Sequence, residues 1–274
     1  MTTASGVLAA TLLRQQRQVR RERLVVQVGI ALFGLGLLLF WEYGLMYVVN
    51  IRYTSTPTAI FDRLVELVQA GDLGRDIRVT MAEAGGGYLI GVIVGLVLAL
   101  VLAGSRRGYE ILEPFLVAFY SIPKIALAPL FIMWFGLGMA PKLILAALMV
   151  FFVVFMNTVA GVHAISAGLV DVTRVLGARG IALATKVVFP AAAPAITAAI
   201  RVTFSRAMVG AVLAEFIAAT QGLGYMIVRA SRQFDSAAVF AGIFIISVLV
   251  MSVNGVIRLL EARLLPWHRA EVHG

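Results

Sequence analysis

The sequence predicts an all-α membrane protein with six transmembrane helices, on three observations. Hydrophobic residues make up 61% of the 274 and charged residues 14%, against about half and about one quarter in soluble domains. No single water-soluble core buries that much apolar surface, so the bilayer has to act as solvent. Six stretches also have the ~20 apolar residues that cross a ~30 Å hydrocarbon layer as a helix. They lie at about 25–45, 82–104, 115–137, 143–163, 194–219 and 237–260. Finally, the net charge of +9 is carried by basic residues at the ends of apolar runs rather than on one soluble face. That distribution fits membrane orientation and argues against nucleic-acid binding.

Cysteine is absent, and His163, His268 and His273 have no metal-binding spacing. Disulfides and thiolate sites are excluded, and no metal is expected. The first stretch follows Arg14, Arg17, Arg20, Arg21 and Arg23, a basic arm over residues 1–24. A basic start before an apolar run also describes a secretory signal. This run continues past Trp41, Tyr43 and Tyr47 without a small-x-small cleavage site, so a retained anchor is expected.

With the amino terminus in the cytoplasm, an even span count returns the carboxyl terminus to the same side. The cytoplasmic side then also holds Arg106, Arg107, Arg174, Arg179, Lys186, Arg258, Arg263 and Arg269, thirteen basic residues with the arm. The outer side holds Arg52, Arg63, Arg75, Arg78, Lys142, Arg229 and Arg232, which is seven. This is the positive-inside bias. The whole of 25–268 reads as one membrane domain with a short tail, 269–274.

The first outer loop, roughly 46–80, contains TPTAIFDRLVELVQAG. Thr56 is placed to cap a helix, Pro57 suits its first turn, and Gly71 supplies a stop. Ile60, Phe61, Leu64, Leu67 and Val68 recur at helical spacing, so a short amphipathic helix is expected at the outer face. The third span carries Pro114, Pro123, Pro129, Gly136 and Gly138 and is the most interrupted. Interrupted helices at membrane depth often line transport routes, although membrane helices also carry ordinary packing glycines.

Between the fourth and fifth spans, residues 164–193 form a polar, basic connection longer than most helix connections. Two short helices at an angle are expected there. Leu169, Val172, Val175 and Leu176 form one apolar face before Gly177, which is placed to end a helix in the left-handed conformation. Ile181, Ala184, Val187 and Val188 form the second turn, and Pro190 and Pro194 are expected to break the pattern before span five. Such an elbow suits a groove on a partner protein; an ordinary interfacial helix pair has the same pattern.

Within this connection, Asp171-Val172-Thr173 is followed by three residues, Gly177, nine residues, and then Val187 to Pro190. This spacing resembles the signature loop of binding-protein-dependent ABC importer permeases, which opens acidic-small-small and ends aliphatic-x-Leu-Pro. The chain departs from it at Val172, Thr173 and Phe189. The runs SIPKIALAPLFIMWFGLG (121–138), VFFVVFMNTVAGV (150–162), PAAAPAITAAIR (190–201), AEFIAATQGLGYMI (214–227) and RLLPW (263–267) resemble the nitrate/sulfonate/taurine type of that family, in the same order. The likeness covers about residues 55–268.

The resemblance implies a type I importer permease fold in the inner membrane, paired with a second permease copy, most simply an identical one. It further implies two cytoplasmic ABC ATPase subunits and an extracytoplasmic solute-binding protein. The docking residues it implies are Asp171, Val172, Thr173, Gly177, Ala178, Arg179, Val187, Phe189 and Pro190. No Gly-x-x-x-x-Gly-Lys-Ser/Thr loop occurs in the chain; GSRRG at 104–108 lacks that spacing and reads as a cytoplasmic turn. ATP and Mg are therefore expected on the partner ATPase, with no cofactor in this chain and no catalysis by it.

Ionisable residues inside spans are costly and so are candidates for function. Lys124, Arg201, Arg206 and Glu215 qualify. Arg206 and Glu215 are nine residues apart, on opposite helix faces and about 13 Å apart along the axis, so they cannot pair with each other. Arg201 is expected to snorkel to the cytoplasmic interface. Lys124 and Arg206 either line a route for an anion or pair structurally with Glu83 or Glu215. Glu215 is expected to make an interhelix bond that positions the outer gate. Asn157 either bonds across helices or lines the pathway, and Met133, with Trp134 and Phe135, either forms an apolar gate or faces lipid.

The leading function is the pathway subunit of an ATP-driven importer for a small, anionic solute. A self-contained secondary transporter is the alternative, disfavoured by the long loop and the lack of an inverted repeat. No close Ser/His/Asp or paired-Asp arrangement supports an intramembrane enzyme.

Overall fold

The computed structural model describes residues 22, 24–49, 53–103 and 106–264. The expected tail 269–274, the closing RLLPW motif beyond Leu264, most of the basic arm and Gly104-Ser105 lie outside the described residues. The described chain is helical. It runs α1 (Leu24–Gly44), α2 (Pro57–Gln69), α3 (Leu73–Ala103), α4 (Arg106–Ser121), α5 (Ala128–Phe135) and α6 (Met139–His163). It continues through α7 (Ala167–Val175), α8 (Gly180–Leu183), α9 (Phe189–Ala218), α10 (Leu223–Arg232) and α11 (Ser236–Leu264). Five helices are long and apolar enough to span a bilayer: α1, α3, α6, α9 with its preceding turn, and α11. The pair α4 and α5, bent by 82° at a short break, makes the sixth crossing or a re-entrant loop.

The expected third span, 115–137, is therefore not one helix. Pro114 sits inside α4 without ending it. The break falls at Pro123, whose ψ of 101° is extended, and a 3-10 turn over Lys124–Leu127 leads into α5. A proline pushes its predecessor out of the helical region, which explains the stop after Ser121. Pro129 lies in the first turn of α5, where a missing N–H costs nothing.

Two further expectations change. Span two begins at Leu73, about nine residues before the hydropathy pattern suggests. Its first turns carry Asp76, Thr80 and Glu83, which are polar but buried and partnered. Nor do Pro190 and Pro194 break span five. The chain is helical from Ala184 to Ala218, with a π-helical turn over Ala184–Val188, Pro190 in the first turn of α9 and Pro194 inside it. A wide π turn ahead of Pro190 makes room for the ring, which otherwise clashes with the carbonyl four residues back.

The core is built on α6, held between α3 and α9 by small residues. A Cβ placed on Gly91 of α3 meets the Ala147 carbonyl oxygen at 2.5 Å, and one on Gly95 meets the Phe151 carbonyl at 2.9 Å. From the other side, a Cβ on Gly210 of α9 meets Ala146 Cα at 2.7 Å. Lipid tails are as apolar as leucine, so close backbone approach of this kind replaces the hydrophobic effect as the packing force. Leu145, Val150, Val154 and Phe155 of α6 are fully buried in the seam. By contrast, none of the most apolar window of α1 is buried. Its C-terminal end is tied down by Trp41, whose Nε1–H donates to the Ser55 carbonyl at 2.9 Å, and by Glu42, which accepts from Thr58.

The amphipathic helix α2 forms as expected. Thr56 Oγ1 accepts from the Ala59 N–H at 3.3 Å, Pro57 opens the helix, and Gly71 leaves it at φ +81°. Ile60, Leu64 and Leu67 face the protein, whereas Phe61 and Val68 are exposed. Arg63 donates to Asp235 at the start of α11, tying the two elements together. Several of the cations assigned to the outer side are thus neutralised by carboxylates: Arg63 by Asp235 and Glu66, Arg75 by Asp72, and Lys142 by Glu83.

Candidate coupling elbow and pathway residues

The connection between α6 and α9 folds into a two-helix elbow. After α7, the Gly177 N–H donates to the Arg174 carbonyl and the Ala178 N–H to the Thr173 carbonyl, each at 3.0 Å, with Gly177 at φ +91°. This pair of bonds is the Schellman closure of a helix, and it requires a left-handed residue at that position. Gly180, at φ +55°, then redirects the chain into α8. Thr173 Oγ1 donates back to Leu169 and Val170 carbonyls, so its hydroxyl is spent inside α7. Asp171 and Arg174 form an exposed ion pair at 3.7 Å.

The apolar face expected on α7 does not pack inward. Val172 is exposed, and Val175 and Leu176 are 87% and 80% exposed, at the tip of the elbow. A Cβ on Gly177 meets nothing within 4 Å. Ala178 and Val187 are half-buried, while Arg179, Phe189 and Pro190 are exposed. Behind the tip lies a cavity of about 860 Å³ lined by Val162, Arg174, Arg179, Leu183, Val188 and Phe189.

The five pathway candidates are not brought together. Lys124 sits at the α4–α5 break, where its ammonium bonds the Tyr120 carbonyl and lies 4.3 Å from the Tyr120 ring and 4.9 Å from Phe152. It pairs with neither Glu83 nor Glu215, and it serves the carbonyl left open where α4 stops. Asn157 bonds no other helix: its Nδ2 donates to the Val153 carbonyl one turn back, and its side chain is exposed. Met133 is 80% exposed near the end of α5, next to Trp134 and Phe135. Arg206 is exposed on α9 with no ion pair or hydrogen bond among the described residues, while Arg201 reaches Glu261 at 3.7 Å rather than only snorkelling.

Glu215 is different, being only 1% exposed. Its Oε1 accepts from Thr80 Oγ1 at 2.7 Å and its Oε2 from the Gly224 N–H at 2.5 Å. Thr80 Oγ1 in turn accepts from the Leu223 N–H at 2.8 Å, and Asp76 Oδ1 from the Gly222 N–H at 3.0 Å. Three successive N–H groups that open α10 are thus satisfied by α3 and α9. One turn further along α3, Glu83 takes a hydrogen bond from Lys142 of α6 at 2.6 Å in a buried ion pair. The expected interhelix bond of Glu215 is present; Asp76, Thr80 and Lys142 were not anticipated as its surroundings. Their signal was the i, i+4, i+7 spacing of Asp76, Thr80 and Glu83, which sets all three on one face of α3.

Comparison with known proteins places this architecture. Residues 87–266 match the family described as "Binding-protein-dependent transport system inner membrane component". The putative aliphatic sulfonates transport permease protein SsuC of Bacillus subtilis is 35% identical over 231 residues, 84% of each chain. The taurine transport system permease protein TauC of Escherichia coli is 29% identical over 276 residues, 96% of this chain and 98% of that one. In structure, the chain is similar to a chain of the inward-facing MetNI methionine ABC transporter, with a TM-score of 0.61 over 71% of this chain and 94% of that one at 19% identity. This is the type I importer fold, and the secondary-transporter alternative falls with the family match. The chain belongs to the binding-protein-dependent transport system inner membrane components, as a multi-pass inner-membrane permease of the sulfonate and taurine type of ABC importer.

Proposed function

We propose that this permease forms the membrane pathway for a small anionic solute and takes its driving force through the 164–193 elbow. In this reading the elbow tip seats in a groove on each of two separate ATPase subunits, which hold ATP and Mg. A second, identical permease copy completes the pathway, and a solute-binding protein delivers solute from outside. The termini and the elbow are cytoplasmic, with 25–268 as the single membrane domain between a basic arm and a short tail.

One observation carries the docking claim: Val172, Val175 and Leu176 stand exposed at the end of a rigidly closed helix. Apolar side chains held out on a closed turn, on the basic side of the membrane, suit a partner groove better than water. The surrounding Asp171, Thr173, Ala178, Arg179, Val187, Phe189 and Pro190 shape the same tip. Gly177 is its pivot, because its left-handed backbone and open surroundings leave the turn both tight and bare. The anionic solute rests on two supports. One relative is named for aliphatic sulfonates and another for taurine, solutes that each carry a sulfonate group, and Arg206 offers an exposed cation on α9.

Gly177→Glu tests the docking. It places a charge and a strained backbone at the tip without touching the core, so the variant is expected in the membrane at normal levels but without bound ATPase on co-purification. Recovery of a complete complex with that variant removes the docking role from the elbow.

A further inference from the structure

Glu83, Lys142 and Glu215 form a buried cluster of two carboxyls and one ammonium, which none of the transport roles above uses. Glu83 is 2% exposed, Glu215 1% and Lys142 8%. Lys142 Nζ is committed to Glu83 Oε1 at 2.6 Å. The other oxygen, Glu83 Oε2, is buried without a hydrogen-bond donor among the described residues. Glu83 lies one turn from Thr80 on α3, and Thr80 is hydrogen-bonded to Glu215, so the two carboxyl groups share one buried seam bridged by Thr80.

Two ionised carboxylates facing each other have no hydrogen to share, and both acceptors are then buried against like charge. The remaining groups do not supply one: Arg75 and Arg78, which line a surface pocket together with Glu83, are directed at Asp72 and the Gly74 carbonyl. Asp76, on the same face of α3, is itself an acceptor for Gly222 N–H. The α10 side contributes backbone N–H groups only, with Arg229 and Arg232 in its last turn. Thr80 has already used its hydrogen on Glu215 Oε1 and its lone pair on Leu223 N–H. One Lys142 ammonium balances one carboxylate.

We propose that the Glu215 carboxyl holds a proton directed at Glu83 Oε2, and that this proton is a structural ligand joining α3, α6, α9 and the start of α10. With it, Glu215 donates to Glu83 Oε2 while still accepting from Thr80 and Gly224. The cluster is then neutral, and its one orphaned oxygen is satisfied. Without it, two carboxylates repel across the α3–α9 contact, and the seam that caps α10 opens. The site is independent of which solute the permease carries and of how the elbow is used.

The test uses the purified full-length permease in lipid nanodiscs, read by infrared spectroscopy and by thermal unfolding over a pH series. The unmodified protein should show the carbonyl stretch of a protonated carboxylic acid, shifted in D2O, and its unfolding midpoint should fall by several degrees as the medium becomes alkaline. Glu215→Gln supplies an amide N–H in place of the proton. It should remove that band and abolish the alkaline fall, with a midpoint between those of the unmodified protein and Glu215→Ala, because the amide nitrogen donates to Glu83 but cannot accept from Gly224 or Thr80. A missing band in the unmodified protein overturns the proposal, and so does a band that survives Glu215→Gln. A Glu215→Gln protein whose midpoint still falls in alkaline medium also overturns it.

Discussion

Arg206 and Glu215 sit nine residues apart on α9 and meet opposite surroundings. Glu215 faces α3 and α10 and is satisfied by Thr80 and Gly224. Arg206 faces outward and finds no partner among the described residues. An unpaired guanidinium at span depth is costly in lipid, so an anion or a water-filled route is the environment that suits it. Replacing it with alanine should therefore lower uptake efficiency for an anionic solute about tenfold, the loss of one charge-assisted contact of about 1.5 kcal/mol. Assembly with the ATPase should be unaffected. Uptake kinetics in proteoliposomes check this, and unchanged kinetics make Arg206 structural. Which face each residue took was legible from their separation, because nine residues is half a turn out of phase. Their partners were not, since Thr80 is 135 positions from Glu215 and no local pattern specifies that pairing.

At the level of elements, the helix pair α3 and α6 depends on glycine rather than on large apolar side chains. A Cβ at Gly91 is already 2.5 Å from the Ala147 carbonyl oxygen and 2.7 Å from Val150 Cβ. Gly91→Leu should push α3 off α6 and cost about 3 kcal/mol or more, seen as a lowered unfolding midpoint and poor recovery from the membrane. The conservative Gly95→Ala, with its nearest approach at 2.9 Å, should be milder. Spans four and six were legible because α6 and α11 are apolar along most of their length, and the expected and observed ends nearly agree. The start of α3 was hidden because Asp76, Thr80 and Glu83 resemble loop residues until their buried partners are known. The behaviour of the prolines turned on local geometry: Pro123 meets an extended backbone and breaks the span, while Pro190 follows a π turn and does not.

Across the whole molecule, burial is concentrated in α6 and its two neighbours, while α1 stands nearly unpacked. Phe155 is 1% exposed and Phe33 is 76% exposed. Phe155→Ala should cost about 3 kcal/mol through the cavity it leaves, whereas Phe33→Ala should stay within about 0.5 kcal/mol. Thermal unfolding of the two variants in the same lipid measures the contrast. Equal losses would mean that α1 has packing partners beyond those its own chain supplies. The elbow's existence was legible from loop length and from Gly177. Its outward-facing Val175 and Leu176 were not, because an amphipathic pattern marks an apolar face without saying what covers it.

The unbroken helix from Ala184 to Ala218 also has a mechanical reading. Its 35 residues give a rod of roughly 50 Å. One tip joins the elbow and the other carries Glu215 into the polar knot that starts α10. Pro190 and Pro194 both lie near the elbow end, and the helix runs through them without a break. A tilt of about 10° about the rod's midpoint then carries each tip about 4–5 Å, in opposite directions. Displacement at one membrane face becomes displacement at the other, so the continuity of the helix past its prolines is what gives this lever its length.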